Sequence, residues 1–435
     1  MEEFRRGGDL LNRPPHEANV AEQTEHSING GGLKFDYFSP NEKHRFNVFA
    51  SAQHINRDSY YGGGQDPNAY GNTTDLNWMA GSQYVYSFGK CIFMPADLTA
   101  GIEFNQDKLE DNMWGYHRTV DQKVNIGSAF FQNEWKNEHW GFLIGGRLDK
   151  HNLIDHVIFS PRANLRYNPT ENINLRFSYS SGFRAPQAFD EDLHVENVGG
   201  NVAMVELADN LKEERSQSLS ASADIYHRFG AFQVNFLVEG FYTKLSDVFA
   251  LTDGEVVDGI LTRTRYNAPG ARVMGLTLEG KMAYLTKFQV QAGVTLQQSH
   301  YSEPHVWNKE APAVKKMMRT PNTYGYFTAT YTPIKPLSIA LSGTYTGSML
   351  VPHEPVPGFL EKPITVNTKD FFDIGLKAAY DFKLYKSMNL QVNAGVQNIF
   401  NAYQNDFDKG ADRDSGYIYG PSLPRSFFAG VKISY

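Results

Sequence analysis

The sequence predicts an all-β fold: a transmembrane antiparallel up-and-down β-barrel with long loops at one rim and short turns at the other. Three observations carry that expectation. Apolar and polar residues alternate over segments of about ten residues, the pattern of strands with lipid on one face and a wet lumen on the other. The connections between these segments are alternately short and long. Aromatic residues, 14% of the chain, gather near segment ends at Tyr37, Phe88, Trp135, Trp140, Tyr167, Tyr331, Tyr345 and Tyr435, where interfacial girdles lie. The closing stretch, Pro424–Tyr435, shows the alternation plainly. Phe427, Ala429, Val431, Ile433 and Tyr435 share one face, and Phe428, Gly430, Lys432 and Ser434 the other. Alternation alone also suits a soluble sandwich, so the choice rests on the rhythm of the whole chain.

From the start, Ser27–Phe38 and Arg45–Asn56 flank the turn SPNEKH, and a long loop through Tyr60 and Tyr61 follows. Asn77–Phe88 and Leu98–Lys108 flank a turn containing Cys91, then comes a loop with Trp114 and His117. Val124–Trp135 and Trp140–Leu148 flank KNEH, and Phe159–Tyr167 and Ile173–Ser181 flank NPTEN. An irregular stretch then runs from Ala185 to Leu211. In the second half the hairpins are Ser216–Tyr226 with Gln233–Thr243, Val273–Tyr284 with Phe288–Gln298, Tyr324–Tyr331 with Leu337–Tyr345, and Phe371–Phe382 with Asn389–Phe400. Asp247–Pro269, Ser299–Pro321, Gly347–Asp370 and Asn401–Leu423, rich in Gly, Pro, Asp and Asn, read as the long loops. With the closing strand this makes about 17 strands.

Composition narrows the function. No run approaches the roughly 18 apolar residues of a membrane helix, a test that barrel strands escape because only alternate residues face lipid. The net charge of -7 argues against a nucleic-acid partner. Cys91 is the single cysteine, which excludes an intrachain disulfide and a cysteine-rich metal site. The opening residues MEEFRRGGDLLNRPPHE have no apolar core of a secretory signal. GGGQDPN at Gly62 is not a phosphate loop, since no Lys-Ser/Thr follows it. No nucleophile–base set has a local signature, so no enzyme activity and no cofactor are expected.

An ordered set of segments resembles the barrel of TonB-dependent outer-membrane receptors. It comprises AFFQNEWK at Ala129–Lys136, WGFLIGGRLDKH at Trp140–His151 and FSPRANLRYNPTENINLRFSYSSGFRAPQ at Phe159–Gln187. LKEERSQSLSASADIY from Leu211, NAPGARVMGLTLEG at Asn267–Gly280, NIFNAY at Asn398 and the PRSFFAGVKISY end complete it. The resemblance implies a Gram-negative outer-membrane location, lipid contact, and assembly by the barrel-assembly machinery, which reads the terminal aromatic strand. It also implies uptake of a scarce solute, foremost an iron complex such as a ferric siderophore, energised by the TonB complex. Family barrels have about 22 strands around a plug. The expectation is therefore that residues 1–26 are the remnant of an extracellular loop and 27–435 a barrel incomplete at its N-terminus. On that expectation signal peptide, plug with TonB-contacting box, and roughly five strands are missing, and this chain alone is not transport-competent. A passive porin, a receptor for cobalamin or another solute, and a soluble β-rich binding protein stand as alternatives.

Ligand contacts in such a scaffold belong to loop tips and the outer lumen. The candidates are Tyr60, Tyr61, Trp114, His117, Arg184, His194, Trp307, Arg319, Tyr417 and Tyr419, each weighed against plain loop or interfacial packing. Arg184, in FRAP, has two readings: it holds the loop base by pairing with Asp190 or Glu191, the favoured one, or it meets an anionic ligand. His194 lies between FRAP and Asp209-Asn210-Leu211, which loosely resembles the NPNL box of haem receptors; a histidine so placed is a haem ligand in them, though NPNL itself is not intact here. In DFDKGADRDSG, Asp406, Asp408, Asp412 and Asp414 are chemically suited to Ca²⁺, but their spacing is not that of a calcium loop and a solvated acidic loop is the favoured reading. No metal site is expected.

Overall fold

The strand meander was traced in a computed structural model, which describes residues 2–7, 12–198, 201–385, 387–410 and 412–435. In chain order its strands are β1 (Glu2–Gly7), β2 (Val20–Phe38), β3 (His44–Gly63), β4 (Tyr70–Cys91), β5 (Met94–Met113), β6 (Arg118–Lys136), β7 (Trp140–His151), β8 (Ile158–Thr170) and β9 (Ile173–Arg184). A short helix α1 (Asp190–Leu193) and the loop strands β10 (Glu196–Val198) and β11 (Asn201–Leu207) follow. The meander resumes with β12 (Glu214–Phe229), β13 (Phe232–Val257), β14 (Ile260–Tyr284) and β15 (Phe288–His305). After the loop strand β16 (Val314–Lys316) come β17 (Thr323–Ile334), β18 (Leu337–Thr346), the loop hairpin β19 (Leu350–His353) and β20 (Ile364–Asn367), then β21 (Phe371–Tyr385), β22 (Met388–Gln397) and β23 (Ser426–Ser434). Each meander strand pairs antiparallel with the next, and all the segments expected from sequence are present in order. Among the described residues β1 pairs only with β2 and β23 only with β22, so the sheet is not closed.

The two faces separate by register. Phe35, Val48, Ser82, Ile102, Ala129, Leu148 and Phe159 are successive cross-strand partners in one row, and Phe35, Ile102, Leu148 and Phe159 are exposed. One position along, the opposite face carries Glu103, Ser128 and Asp149 as partners. There Arg147 bonds Glu103 at 2.8 Å and Asp149 at 2.7 Å, and Ser128 donates to Asp149 at 2.6 Å. An apolar outer face and a hydrogen-bonded inner face are what a membrane barrel requires. Clusters of buried apolar side chains lie instead at the long-loop end: Tyr60, Tyr61, Met113, Tyr116, Val195 and Met204 in one, Ile154, Ile158 and Ala185 in another, Met349, Val351 and Tyr417 in a third.

Several boundaries differ from the sequence reading: β3 runs to Gly63 and β4 starts at Tyr70, where a long loop through Tyr60 and Tyr61 is expected, and β5 and β6 likewise extend to Met113 and back to Arg118. The strand expected from Ser27 begins at Val20, because Val20 and Ala21 are buried under the loop cluster and pair with Gly63 and Gly62. Asp247–Pro269, expected as a loop, is the continuation of β13 and β14. They meet at Asp258 (φ 52) and Gly259 (φ 78), the left-handed pair of a two-residue hairpin turn.

Glycine–aromatic pairs brace the wall. Gly81 faces Phe49, Gly101 Phe130, Gly275 Phe241, Gly293 Tyr326, Gly343 Phe327 and Gly395 Phe428. Each ring lies across the space its partner's missing side chain leaves, which covers the otherwise bare strand backbone. A Cβ on Gly101 would strike the Phe130 ring and sit 2.6 Å from the Ser82 carbonyl oxygen. Gly101→Val is therefore expected to destabilise the folded barrel by about 1–3 kcal/mol, read as a lower urea midpoint for loss of the compact, fast-migrating band on unheated gels, with Gly127→Val, whose Cβ meets nothing within 4 Å, as the control.

Candidate functional site

The residues from Ala185 to Glu213 leave the wall at β9 and return at β12, and the segment between is tied down by charge. Helix α1 reads Asp-Glu-Asp-Leu, and each of its acids meets an arginine from a different strand. Asp190 accepts from Arg57 of β3 at 2.6 Å. Glu191 accepts from Arg184 of β9 at 2.6 Å and Arg265 of β14 at 3.1 Å. Buried Asp192 pairs with Arg265, and its carbonyl accepts from Arg118 of β6 at 2.6 Å. Beneath them Asp111 accepts from Thr73 at 2.6 Å and lies 3.9 Å from Arg57 and 3.8 Å from Arg118. The loop then adds β11 parallel to the top of β14, Val202 opposite Ile260 through Leu207 opposite Arg265. The result is a roof over the barrel mouth.

Burial pushes the Asp192 carboxyl up despite the Phe189 amide and Arg265, and it does the same to Asp111 against Thr73, Arg118 and Arg57. Burial also raises Glu191, but the Arg184 and Arg265 guanidiniums outweigh it and hold the carboxyl below its usual 4.5. Arg184 further stacks on Phe189, 3.9 Å from the ring centroid. Of its two sequence readings, the loop-base pairing is the arrangement seen, and it falls on Glu191.

Under the roof is a cavity of about 340 Å³ lined by His194, Glu196, Arg263, Arg265, Arg319, Glu354 and Asp414 among others. Arg263 reaches Glu354 at 3.1 Å and Glu196 at 3.4 Å. Arg319, at φ 56, donates to the Ile418 and Gly416 carbonyls at 2.7 and 2.5 Å. It is thus fixed by neutral acceptors and keeps its charge for whatever enters. Asp414, raised by burial, accepts from the Glu354 and Gly416 amides. His194 sits edge-on to Tyr61, with Nε2 3.4 Å from Glu22.

Of the residues expected at the site, Arg319 and His194 line this cavity, and Arg184 braces its roof. Tyr417 and Tyr419 belong to its floor support. Tyr417 stacks on His353 at 3.8 Å, and Tyr419 donates to Asp406 at 2.6 Å. Tyr60 and Tyr61 are buried in the roof's apolar cluster; the Tyr60 hydroxyl donates to the Asp66 carbonyl and is pushed up to about 12 by desolvation. Trp114 and His117 are exposed at the tip of the β5–β6 hairpin, and Trp307 is buried in the loop after β15. The acids of this loop bond residues outside it, Asp408 facing His353 at 2.9 Å and Asp406 accepting from Tyr419, and among the described residues no group of three potential metal ligands forms. Sequence reasoning missed Arg263, Arg265, Glu196 and Glu354. The first two stand at alternate positions of TRTR, a one-face strand signal inside a stretch read as loop.

A family model described as TonB dependent receptor-like, beta-barrel matches residues 6–399. No curated protein matches the chain by sequence. Among solved structures, the siderophore receptor PirA from Acinetobacter baumannii is similar at TM-score 0.67 and 15% identity, over 95% of this chain and 62% of PirA. The ferric enterobactin receptor PfeA of Pseudomonas aeruginosa, in complex with enterobactin, gives 0.69 and 16% over 95% and 62%. The copper transporter OprC gives 0.66 and 12% over 95% and 67%. The chain thus spans less than two thirds of the two siderophore receptors' length.

The charge clamp makes a prediction with a sign. A carboxylate held below its usual range stabilises the roof above that range and loses the contribution as pH falls through its folded value. Protection of the amides in residues 185–198 and 201–213, taken relative to the intrinsic exchange rate at each pH, is expected to hold from pH 7 down to the ordinary Glu value of 4.5 and to fall only below it. Arg265→Gln, which strands buried Asp192, should cost roughly 3–5 kcal/mol of local protection at neutral pH; exchange mass spectrometry of wild type and variant reads both effects.

Proposed function

Because the chain belongs to the family of TonB-dependent receptor-like β-barrels, a family of outer-membrane transporters and not enzymes, we propose that it takes part in TonB-energised uptake of an anionic iron complex, a ferric siderophore. The observation that carries the reading is the arginine-lined cavity under the roof, at the end of the barrel where the long loops lie. Three arginines converge there beside Glu191, Glu196, Glu354 and Asp414; Arg263 and Arg265 are paired with acids, whereas among the described residues Arg319 is held by backbone carbonyls alone. A multidentate ferric chelate presents several negative oxygens, which planar guanidiniums bind through paired N–H donors. PirA, a siderophore receptor, and PfeA, in complex with enterobactin, agree with this class, while OprC, a copper transporter, has a similar fold.

The site that would admit haem argues the other way. One ring nitrogen of His194 is turned to the Glu22 carboxylate, so an axial bond through it requires that pair to break. A passive pore fits the hydrogen-bonded lumen but gives no role to a roof clamped over the mouth.

Full-length receptor should bind a ferric catecholate, read by tryptophan fluorescence quenching, and Arg319→Ala should weaken binding by about 2 kcal/mol, or roughly thirtyfold. Cells relying on this receptor should lose uptake of the labelled complex when TonB is removed. Binding of haemin with a Soret change abolished by His194→Ala, selective binding of cobalamin or Cu²⁺, or uptake that persists without TonB would each replace the siderophore reading.

A further inference from the structure

A second site lies on the outer wall, away from the mouth. The short turns after β12 and β14 set a common zero for four strands. Counting up from them, outward residues are apolar over the length a tilted strand needs to cross hydrocarbon, about 9–11 residues. On β13 these are Phe232, Val234, Phe236, Val238, Gly240 and Tyr242, and on β14 Tyr284, Met282, Gly280, Leu278, Leu276 and Met274. The next outward position is Lys244 on β13 and Arg272 on β14, which are direct cross-strand partners. Arg272 in turn faces His300 of β15, and His300 faces Lys316 of β16. Four basic side chains thus stand in one row over roughly 14 Å, at strand spacings of about 4.8 Å. They sit where hydrocarbon gives way to headgroups on the long-loop side. Among the described residues none of the four side chains has a carboxylate partner. The nearby Arg215, by contrast, is already paired with Glu213 at 2.7 Å.

Directly below the row the wall is dented. Ala221 and Gly240 are cross-strand partners, flanked by Phe177, Leu219, Tyr242 and Leu276, and they leave an apolar groove of about 850 Å³. A Cβ on Gly240 would meet nothing within 4 Å. The groove opens on the lipid face, so an acyl chain is the chemistry that fills it, and the basic row selects what that chain is attached to. We propose that this face holds one phosphate-bearing lipid of the leaflet on the long-loop side, its phosphate on Lys244, Arg272, His300 and Lys316 and an acyl chain along Gly240. The proposal rests on the barrel's place in a membrane and not on the identity of its cargo.

The test uses full-length receptor in a neutral detergent, titrated with dimyristoylphosphatidic acid or dimyristoylphosphatidylcholine and read by native mass spectrometry. Phosphatidic acid should be retained preferentially. At about fivefold per basic residue, the combined Lys244→Gln, Arg272→Gln, Lys316→Gln variant should lose on the order of a hundredfold for it and leave phosphatidylcholine unchanged. Gly240→Leu, whose Cβ meets nothing within 4 Å and whose side chain projects into the groove, should weaken both lipids. Equal retention of the two lipids by wild type, or undiminished phosphatidic acid on the triple variant, overturns the site. Gel migration of unheated samples confirms that each variant is folded, and unchanged ferric-complex binding separates this test from the cargo reading.

Discussion

In hydrocarbon a backbone N–H or C=O without a partner costs several kcal/mol, and no water is present to supply one. That constraint organises this molecule. It forces each meander strand into antiparallel register with its neighbour, and it makes side-chain identity on the wall a matter of face alone. The outer face needs only apolarity; the inner face needs partners for its polar groups, as in the Glu103–Arg147–Asp149 cluster. Glycines brought under aromatic rings, Gly101 under Phe130 among them, let the wall curve while their backbone stays covered.

Above the membrane the same chain obeys different rules. Water is available, so the long-loop end is built like a small soluble domain with its own buried residues, Tyr60, Met113 and Tyr116 among them. Its most exposed task, holding the segment around α1 across the mouth, is shared between ion pairs and the apolar packing of Val195 and Met204 on Tyr60 and Tyr61. A buried pair is costly to break from one side, yet it is a contact that another anion can contest. The cavity beneath places Arg263, Arg265 and Arg319 within one space, the arginine Arg265 serving both roof and cavity wall.

Much of this was legible in the sequence. Alternation located the strands because lipid imposes a strict period on one face, and Phe427–Tyr435 shows that period as clearly as any segment. Ends were less legible. Val20 was missed because its strand starts under a tertiary cover that no local pattern encodes. The β13–β14 turn was a different failure: Asp258-Gly259 between alternating residues is a hairpin signal, masked by the loop-like composition around it. The site depended on that stretch. Arg184 with Glu191 was readable because the partners lie close in sequence, whereas Arg57 with Asp190 joins residues far apart and follows only from the loop after β9 folding over β3. Trp114 and His117 stand at the exposed tip of the β5–β6 hairpin, one of the loop-tip positions where ligand contacts are expected.

The continuity of β14 from lumen to roof has a consequence for how such a receptor can diversify. Glu279 and Lys281 in the lumen and Arg263 and Arg265 in the cavity lie on one parity of a single strand, and Arg272 lies on the other. Exchanging side chains along it changes what the mouth recognises and leaves the lipid face intact. Inserting or deleting a single residue between the two groups would rotate the cavity arginines toward the outside. Inheritance in this region therefore has a parity rule: substitutions are open, and changes in strand length survive only in steps of two.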